Sequence, residues 1–81
     1  MKHITLNGKK IKKESHEYLI RKLDLPDYYG RNLDALYDCL TDIGVETEIK
    51  LINSEEVSLD LIDTFFDASL ENEYLFFVCD E

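Results

Sequence analysis

Residues 28–41 read YYGRNLDALYDCLT, and they predict a helix that begins near Asn32. Gly30 can adopt the positive φ of a sharp chain reversal, and Asn32 is a good N-cap for the orphan N–H groups of the next turn. Apolar residues then recur at helical spacing, and Gly44 is a suitable residue for the helix end. One face of the helix should therefore pack on a core. Its apolar positions are Leu33, Leu36, Leu40 and Ile43.

The opposite face of this helix is acidic. Asp34 and Asp38 are four residues apart, which places both carboxylates on one side, with Tyr37 beside them. Like charges at this spacing repel by a few tenths of a kcal/mol. Asp38 also lies in the middle of the helix, where the helix dipole does not favour an anion. Such a face is either an ordinary solvated surface of an acidic chain or a binding surface for a cationic partner.

Composition limits the possible functions. The chain has 81 residues and a formal net charge of −9, so direct binding to nucleic acid or to an anionic membrane is not expected. A hydrophobic content of 44% is enough for a globular fold, and the length is typical of one domain, residues 1–81. The sequence has no signal-peptide or membrane-spanning run, so a cytoplasmic protein is expected. Cys39 and Cys79 are expected to be free thiols.

Around the central helix, strands and helices are predicted to alternate. Residues 2–6 predict a first strand, and Ser15 is a candidate cap for a helix that ends at Leu23, before Pro26. Residues 47–52 predict a second strand, and Ser54 or Ser58 begins an acidic helix that ends near Ser69. The last apolar run, residues 74–79, predicts a central strand or one covered on both faces. The cationic run around Ile11 is expected to be a solvated loop; its members are Lys9, Lys10, Lys12 and Lys13.

This order of elements predicts an α/β fold, with a small parallel three-stranded sheet packed by three to four helices. Catalysis is the least favoured function, because two carboxylates four residues apart on an exposed helix face lack the enclosed environment of an acid–base pair. The histidines and cysteines lack zinc-site spacing, and no phosphate-binding glycine loop is present. We therefore predict no catalytic residue, no metal and no cofactor. A small acidic enzyme or metal-binding domain, with His16 as a third ligand beside Asp34 and Asp38, stays open as an alternative.

Residues 25–41, LPDYYGRNLDALYDCLT, closely resemble the central segment of the barstar family, whose members are intracellular inhibitors of barnase-type ribonucleases. The order of the flanking elements is also similar over most of the chain. The resemblance implies a barstar-like fold and inhibition of a basic secreted ribonuclease by an acidic helix that imitates RNA phosphate. It also implies a protein that is monomeric when free. The alternative is an immunity or interaction protein of the same fold for a different basic toxin or partner.

The resemblance further implies which residues bind the partner. Asp38 would enter the phosphate-binding centre, Asp34 would pair with a second cation, and Tyr28 would pack over the mouth of the active site. Three residues depart from the family pattern: Tyr37 replaces a tryptophan, Arg31 replaces a glutamate, and Asp67 on the later helix replaces a glutamate. The complete set implied is Tyr28, Asn32, Asp34, Tyr37, Asp38 and Asp67.

Overall fold

The computed structural model describes residues 1–80, in which three β-strands, four α-helices and one short 3₁₀ helix follow one another. The predicted α/β fold, with its three-stranded sheet and up to four helices, is confirmed. The elements are β1 (Lys2–Asn7), α1 (Gly8–Glu14), α2 (His16–Leu23), α3 (Leu33–Thr41), β2 (Thr47–Ile52), the 3₁₀ helix (Ser54–Glu56), α4 (Leu59–Glu71) and β3 (Leu75–Cys79).

The sheet has the strand order β1-β2-β3, and both pairs of neighbours are parallel. The central strand β2 alternates between its two faces: Thr47, Ile49 and Leu51 are buried, whereas Glu48 and Lys50 reach solvent to different extents. Since only one face of β2 is fully buried, the helices cover only one face of the sheet.

The prediction of a central or doubly covered last strand was wrong, because β3 lies at the edge of the sheet. Leu75 is buried against the helices, but Phe76 and Val78 point to the other face and are 44% and 43% exposed. A continuous apolar run is typical of a strand buried on both faces. It does not reveal that no helix within residues 1–80 packs on the opposite face of the sheet.

Helices α3 and α4 pack on each other and on the sheet. The side chains of Leu36, Leu40 and Phe65 are almost completely buried in this layer. The carboxyl end of α3 is fixed by Asn72, a buried residue just after α4. The side-chain amide of Asn72 donates to the backbone carbonyls of Leu40 (3.0 Å) and Ile43 (2.9 Å).

The lysine-rich segment is helix α1 and not the expected solvated loop. Asn7 caps this helix: its side-chain oxygen accepts from the N–H of Lys9 at 3.0 Å. Ile11 is buried, and Lys12 forms an ion pair with Glu56 at 3.3 Å. One anchored apolar residue and a cap are thus enough to hold a two-turn helix whose other side chains are solvated.

The details of the predicted helix ends are partly wrong. The residue with positive φ before α3 is Arg31 (φ 51°), not Gly30, and Gly44 does not have a positive φ either. The N-cap Asn32 is confirmed, but α3 ends at Thr41. Ser15 precedes α2 without a side-chain cap hydrogen bond.

Candidate functional site

The two tyrosines that precede α3 have opposite environments. Tyr29 is 3% exposed, and a hydrogen bond of 2.6 Å joins its hydroxyl to His16 Nδ1 on α2. Burial, with a smaller contribution from Cys39, raises the pKa of Tyr29 to about 12. Tyr28 is 85% exposed. Tyr29 therefore belongs to the core, and Tyr28 is the tyrosine that is accessible to a partner.

Asn32 begins α3 and is itself held in place. Its side-chain oxygen accepts from the N–H of Ala35 at 2.8 Å, and its amide nitrogen donates to the carbonyl of Gly30 at 3.2 Å. These bonds fix the orientation of the side chain at the helix N-terminus. Asn32 is exposed, so its remaining lone pair and N–H group are open to a partner.

Arg31, the cation nearest to the acidic face in the sequence, is engaged elsewhere. Its Nε donates to Glu17 Oε1 on α2 at 2.8 Å, and both side chains are more than half exposed. This hydrogen bond with Glu17 raises the pKa of the guanidinium further. The positive charge of Arg31 is therefore balanced by Glu17 and does not neutralise Asp34 or Asp38.

The exposed face of α3 carries a row of carboxylates at four-residue intervals: Asp34, Asp38 and Asp42, the last at the C-cap position. Within residues 1–80, none of the three takes part in an ion pair. Their charges are compensated only by solvent and, for Asp34, by the first turn of the helix. Such a row can bind cations without first losing an internal partner.

Tyr37 marks the place where α3 and α4 present a common surface. Its side chain is half-buried, and desolvation raises the pKa of its hydroxyl. The negative charges around it raise the pKa further; in decreasing order of effect they belong to Glu71, Asp67 and Asp38. Negative charges on both helices thus act on the Tyr37 hydroxyl, and the predicted residues Tyr37, Asp38 and Asp67 share one acidic environment.

Glu71, whose charge also acts on Tyr37, is a candidate site residue that the sequence analysis missed. It is exposed in the last turn of α4 and lies four residues after Asp67, so both carboxylates project from the same side of that helix. The four-residue spacing of Asp67 and Glu71 could be read from the sequence, but the position of Glu71 relative to Tyr37 could not. Tyr28, Asn32 and Asp34 lie nearer the start of α3 than this group does.

The two thiols and His16 do not form a reactive or metal-binding group. Cys39 and Cys79 are free and half-buried, and burial together with Asp38 and Asp42 raises the pKa of Cys39, which makes it a poor nucleophile. His16 is bonded to Tyr29. In the described part of the chain, no three His, Cys, Asp or Glu side chains are grouped closely enough to hold a metal ion, so the alternative with His16 as a ligand has no support.

No helix among residues 1–80 has the length and apolar content needed to span a bilayer.

Comparison with known proteins gives two findings. The model of the family described as Barstar (barnase inhibitor) matches residues 1–72, which include α3 and α4 and end before β3. A protein of Bacillus subtilis (strain 168), named "Putative ribonuclease inhibitor YrdF", is 47% identical to this chain over 57 residues. The aligned segment is 69% of this chain and 62% of that protein, so this chain spans less than two thirds of the relative's length.

Proposed function

Because this chain belongs to the Barstar family, we propose that it inhibits a basic ribonuclease of the barnase type. A ribonuclease needs cationic side chains in its active site to hold RNA phosphates. Arginine and lysine form charge-assisted hydrogen bonds with carboxylates as well as with phosphates. The inhibitor would block the active site with carboxylates in the positions of RNA phosphates, and it would act in the cytoplasm as a monomer that binds one enzyme molecule.

One observation carries the proposal: the negative charges of Asp38 on α3 and of Asp67 and Glu71 on α4 all act on Tyr37, where they raise the pKa of the hydroxyl. An aromatic ring beside several negative charges resembles a nucleotide, in which a base lies near phosphates. Aromatic rings are also the groups that stack with bases or fill base sites. Helix α3 alone would offer the ring with Asp38, and α4 adds the charges of Asp67 and Glu71.

We assign the residues the following roles. Asp38, in the middle of the exposed row, enters the phosphate-binding centre, and Asp34 pairs with a second cation of the enzyme. Asp67 extends the carboxylates onto α4. Tyr28, whose side chain is exposed, packs on the rim of the active site, and Asn32 forms hydrogen bonds there.

The whole acidic field supports the same function through the rate of association. A net charge of −9 attracts a basic enzyme before contact, and such steering weakens as salt screens the charges. The Debye length falls to about 8 Å at physiological ionic strength, so the effect is largest in dilute buffer. The pairing of Arg31 with Glu17 leaves the negative field of α3 intact.

The test is inhibition of a purified barnase-type ribonuclease, measured at low and at physiological salt. We expect potent inhibition whose association rate falls with salt. Asp38→Ala should weaken binding by at least about 30-fold, the equivalent of roughly 2 kcal/mol for a central hot-spot residue. Glu55→Ala is the matched control, because Glu55 is an exposed acid on the 3₁₀ helix.

Two results would contradict the proposal at different levels. Absence of inhibition by the wild-type protein would reject the ribonuclease as partner and direct the search to another basic toxin. If Asp38→Ala and Glu55→Ala inhibited equally well, the enzyme would be the partner but Asp38 would not be the residue in its phosphate-binding centre.

A further inference from the structure

A groove of about 260 Å³ lies beside the carboxyl end of α3, between the end of α2 and the first residues of β1 and β2. Much of its lining is apolar and includes Leu23, Leu25, Pro26 and Val45. Val45 is 63% exposed, so this wall of the groove is open to a partner. Pockets for small-molecule ligands usually measure about 300–1,000 Å³. This groove is below that range and has the size for a single protein side chain.

Two carboxylates and one lysine, Lys2, stand in the partly apolar lining of this groove. Asp24 follows α2 in the left-handed conformation (φ 54°, ψ 50°), and Asp42 follows α3. Neither forms an ion pair within the described residues 1–80, even though Lys2 also lines the groove. The groove therefore offers apolar walls together with two negative charges that have no ionic partner.

The groove is continuous with the surface proposed to bind the ribonuclease. Asp42 is the next member of the row after Asp34 and Asp38, one helical turn further on. Tyr28 belongs to both, because it lines the groove and is a proposed contact at the rim of the active site. An enzyme seated on the carboxylate row would therefore extend over the mouth of the groove.

We propose that this groove receives an arginine side chain of the ribonuclease; the inference rests on the proposed function. Arginine matches both parts of the lining, since its aliphatic stem packs on apolar surface while its guanidinium binds carboxylates through a fork of N–H donors. The stem would lie against Leu23, Leu25 and Val45, and the guanidinium would reach Asp24 and Asp42.

Charge complementarity excludes the other simple occupants. An apolar side chain would cover Asp24 and Asp42 without giving either of them a partner, and a covered, unpaired carboxylate is costly. The same groove of a second copy of this chain would bring a second pair of carboxylates. A long cationic side chain is the occupant that satisfies the apolar walls and the two charges at once.

The groove can be tested without the enzyme. N-acetyl-arginine amide is titrated into the ¹⁵N-labelled protein, with N-acetyl-norleucine amide as the uncharged control. We expect the arginine compound alone to shift the amide signals of Leu25, Asp42 and Val45, with these shifts lost in the Asp24→Asn, Asp42→Asn double variant. Asparagine tolerates the left-handed conformation of residue 24, so the variant should fold. Absence of shifts, or equal shifts with both compounds, would overturn the inference.

The ribonuclease provides the second arm. The Asp24→Asn, Asp42→Asn variant should bind the enzyme about tenfold more weakly than the control variant Glu55→Gln, Glu73→Gln, which removes two exposed charges elsewhere. Equal affinities would refute the groove contact while the proposed function stands. If the wild-type protein failed to bind the ribonuclease but the arginine compound still shifted the groove signals, the proposed function would fail, and the groove would bind an arginine of another partner.

Discussion

Replacement of Asn72 by alanine is expected to destabilise the protein by about 3 kcal/mol. The buried side chain makes three hydrogen bonds: its amide donates to the carbonyls of Leu40 and Ile43, and its oxygen accepts from the N–H of Tyr74 at 3.0 Å. A hydrogen bond contributes about 1 kcal/mol net. A chain of 81 residues is expected to have a total stability of roughly 4–12 kcal/mol, so the loss would be a large fraction of it.

The measurement is urea denaturation followed by circular dichroism, together with the thermal midpoint, which should fall by about 12–24 °C. Asn72→Asp is the informative second variant. It keeps the oxygen that accepts from Tyr74 but loses the two donated bonds, and it places a carboxylate beside two carbonyl oxygens. It should therefore be at least as unstable as the alanine variant.

Ser69→Ala, three residues earlier on α4, serves as the control. The hydroxyl of Ser69 donates to the carbonyl of Phe66 at a solvent-accessible position, and its loss should change stability by less than about 0.5 kcal/mol. If Asn72→Ala were as stable as this control, the hydrogen bonds that join the end of α3 to the segment after α4 would contribute nothing net, and the argument would be refuted.

The remaining predictions concern Tyr29, two glycines and the cap of α3. The raised pKa of Tyr29 means that its neutral form stabilises the fold fully below pH 10; about 3 kcal/mol of stability should be lost as pH rises towards 12, and urea titrations of Tyr29→Phe should lack this decline. Gly8→Ala should cost about 1–3 kcal/mol in urea denaturation, because a Cβ there would collide with the backbone carbonyl of Asn53. Gly44→Ala, whose Cβ would meet open space, should be neutral or stabilise by up to about 1 kcal/mol. Asn32→Ala should lower stability by about 1 kcal/mol in thermal unfolding, whereas Asn32→Asp should retain the cap.

Local chemistry explains why much of the fold could be predicted. The start of α3 depends on Asn32 and on the apolar positions of one helix face, and both are read within a few residues. The parallel sheet follows from the alternation of strands and helices. Glycine, however, is only the residue that adopts positive φ most readily. Here Arg31 adopts it, and its side chain makes an ion pair with Glu17 on α2. Local propensity favoured Gly30 for the positive φ. The structure has it at Arg31, the residue that contacts α2.

The candidate site was predictable only in part, for a related reason. The row on α3 follows from helical spacing, so Asp34 and Asp38 could be placed on one face. The approach of α4 to Tyr37 depends on how two helices pack, which no local pattern contains. Glu71 was missed for this reason. The role of each residue in binding a partner stays a prediction.

Two hydrogen bonds join the segment before α3 to α2. The hydroxyl of Tyr29 bonds His16, and the side chain of Arg31 bonds the next residue of α2, Glu17. Tyr28 therefore projects from a backbone that is already ordered in the free protein. Ordering a flexible loop on association consumes conformational entropy, and a preorganised loop avoids most of that loss. The side chain of Tyr28 has only two χ angles, so fixing it on association adds little to the loss of conformational entropy. If Tyr28 contacts the partner as proposed, it would do so from a preordered surface, with most of the entropic cost met when the chain folds.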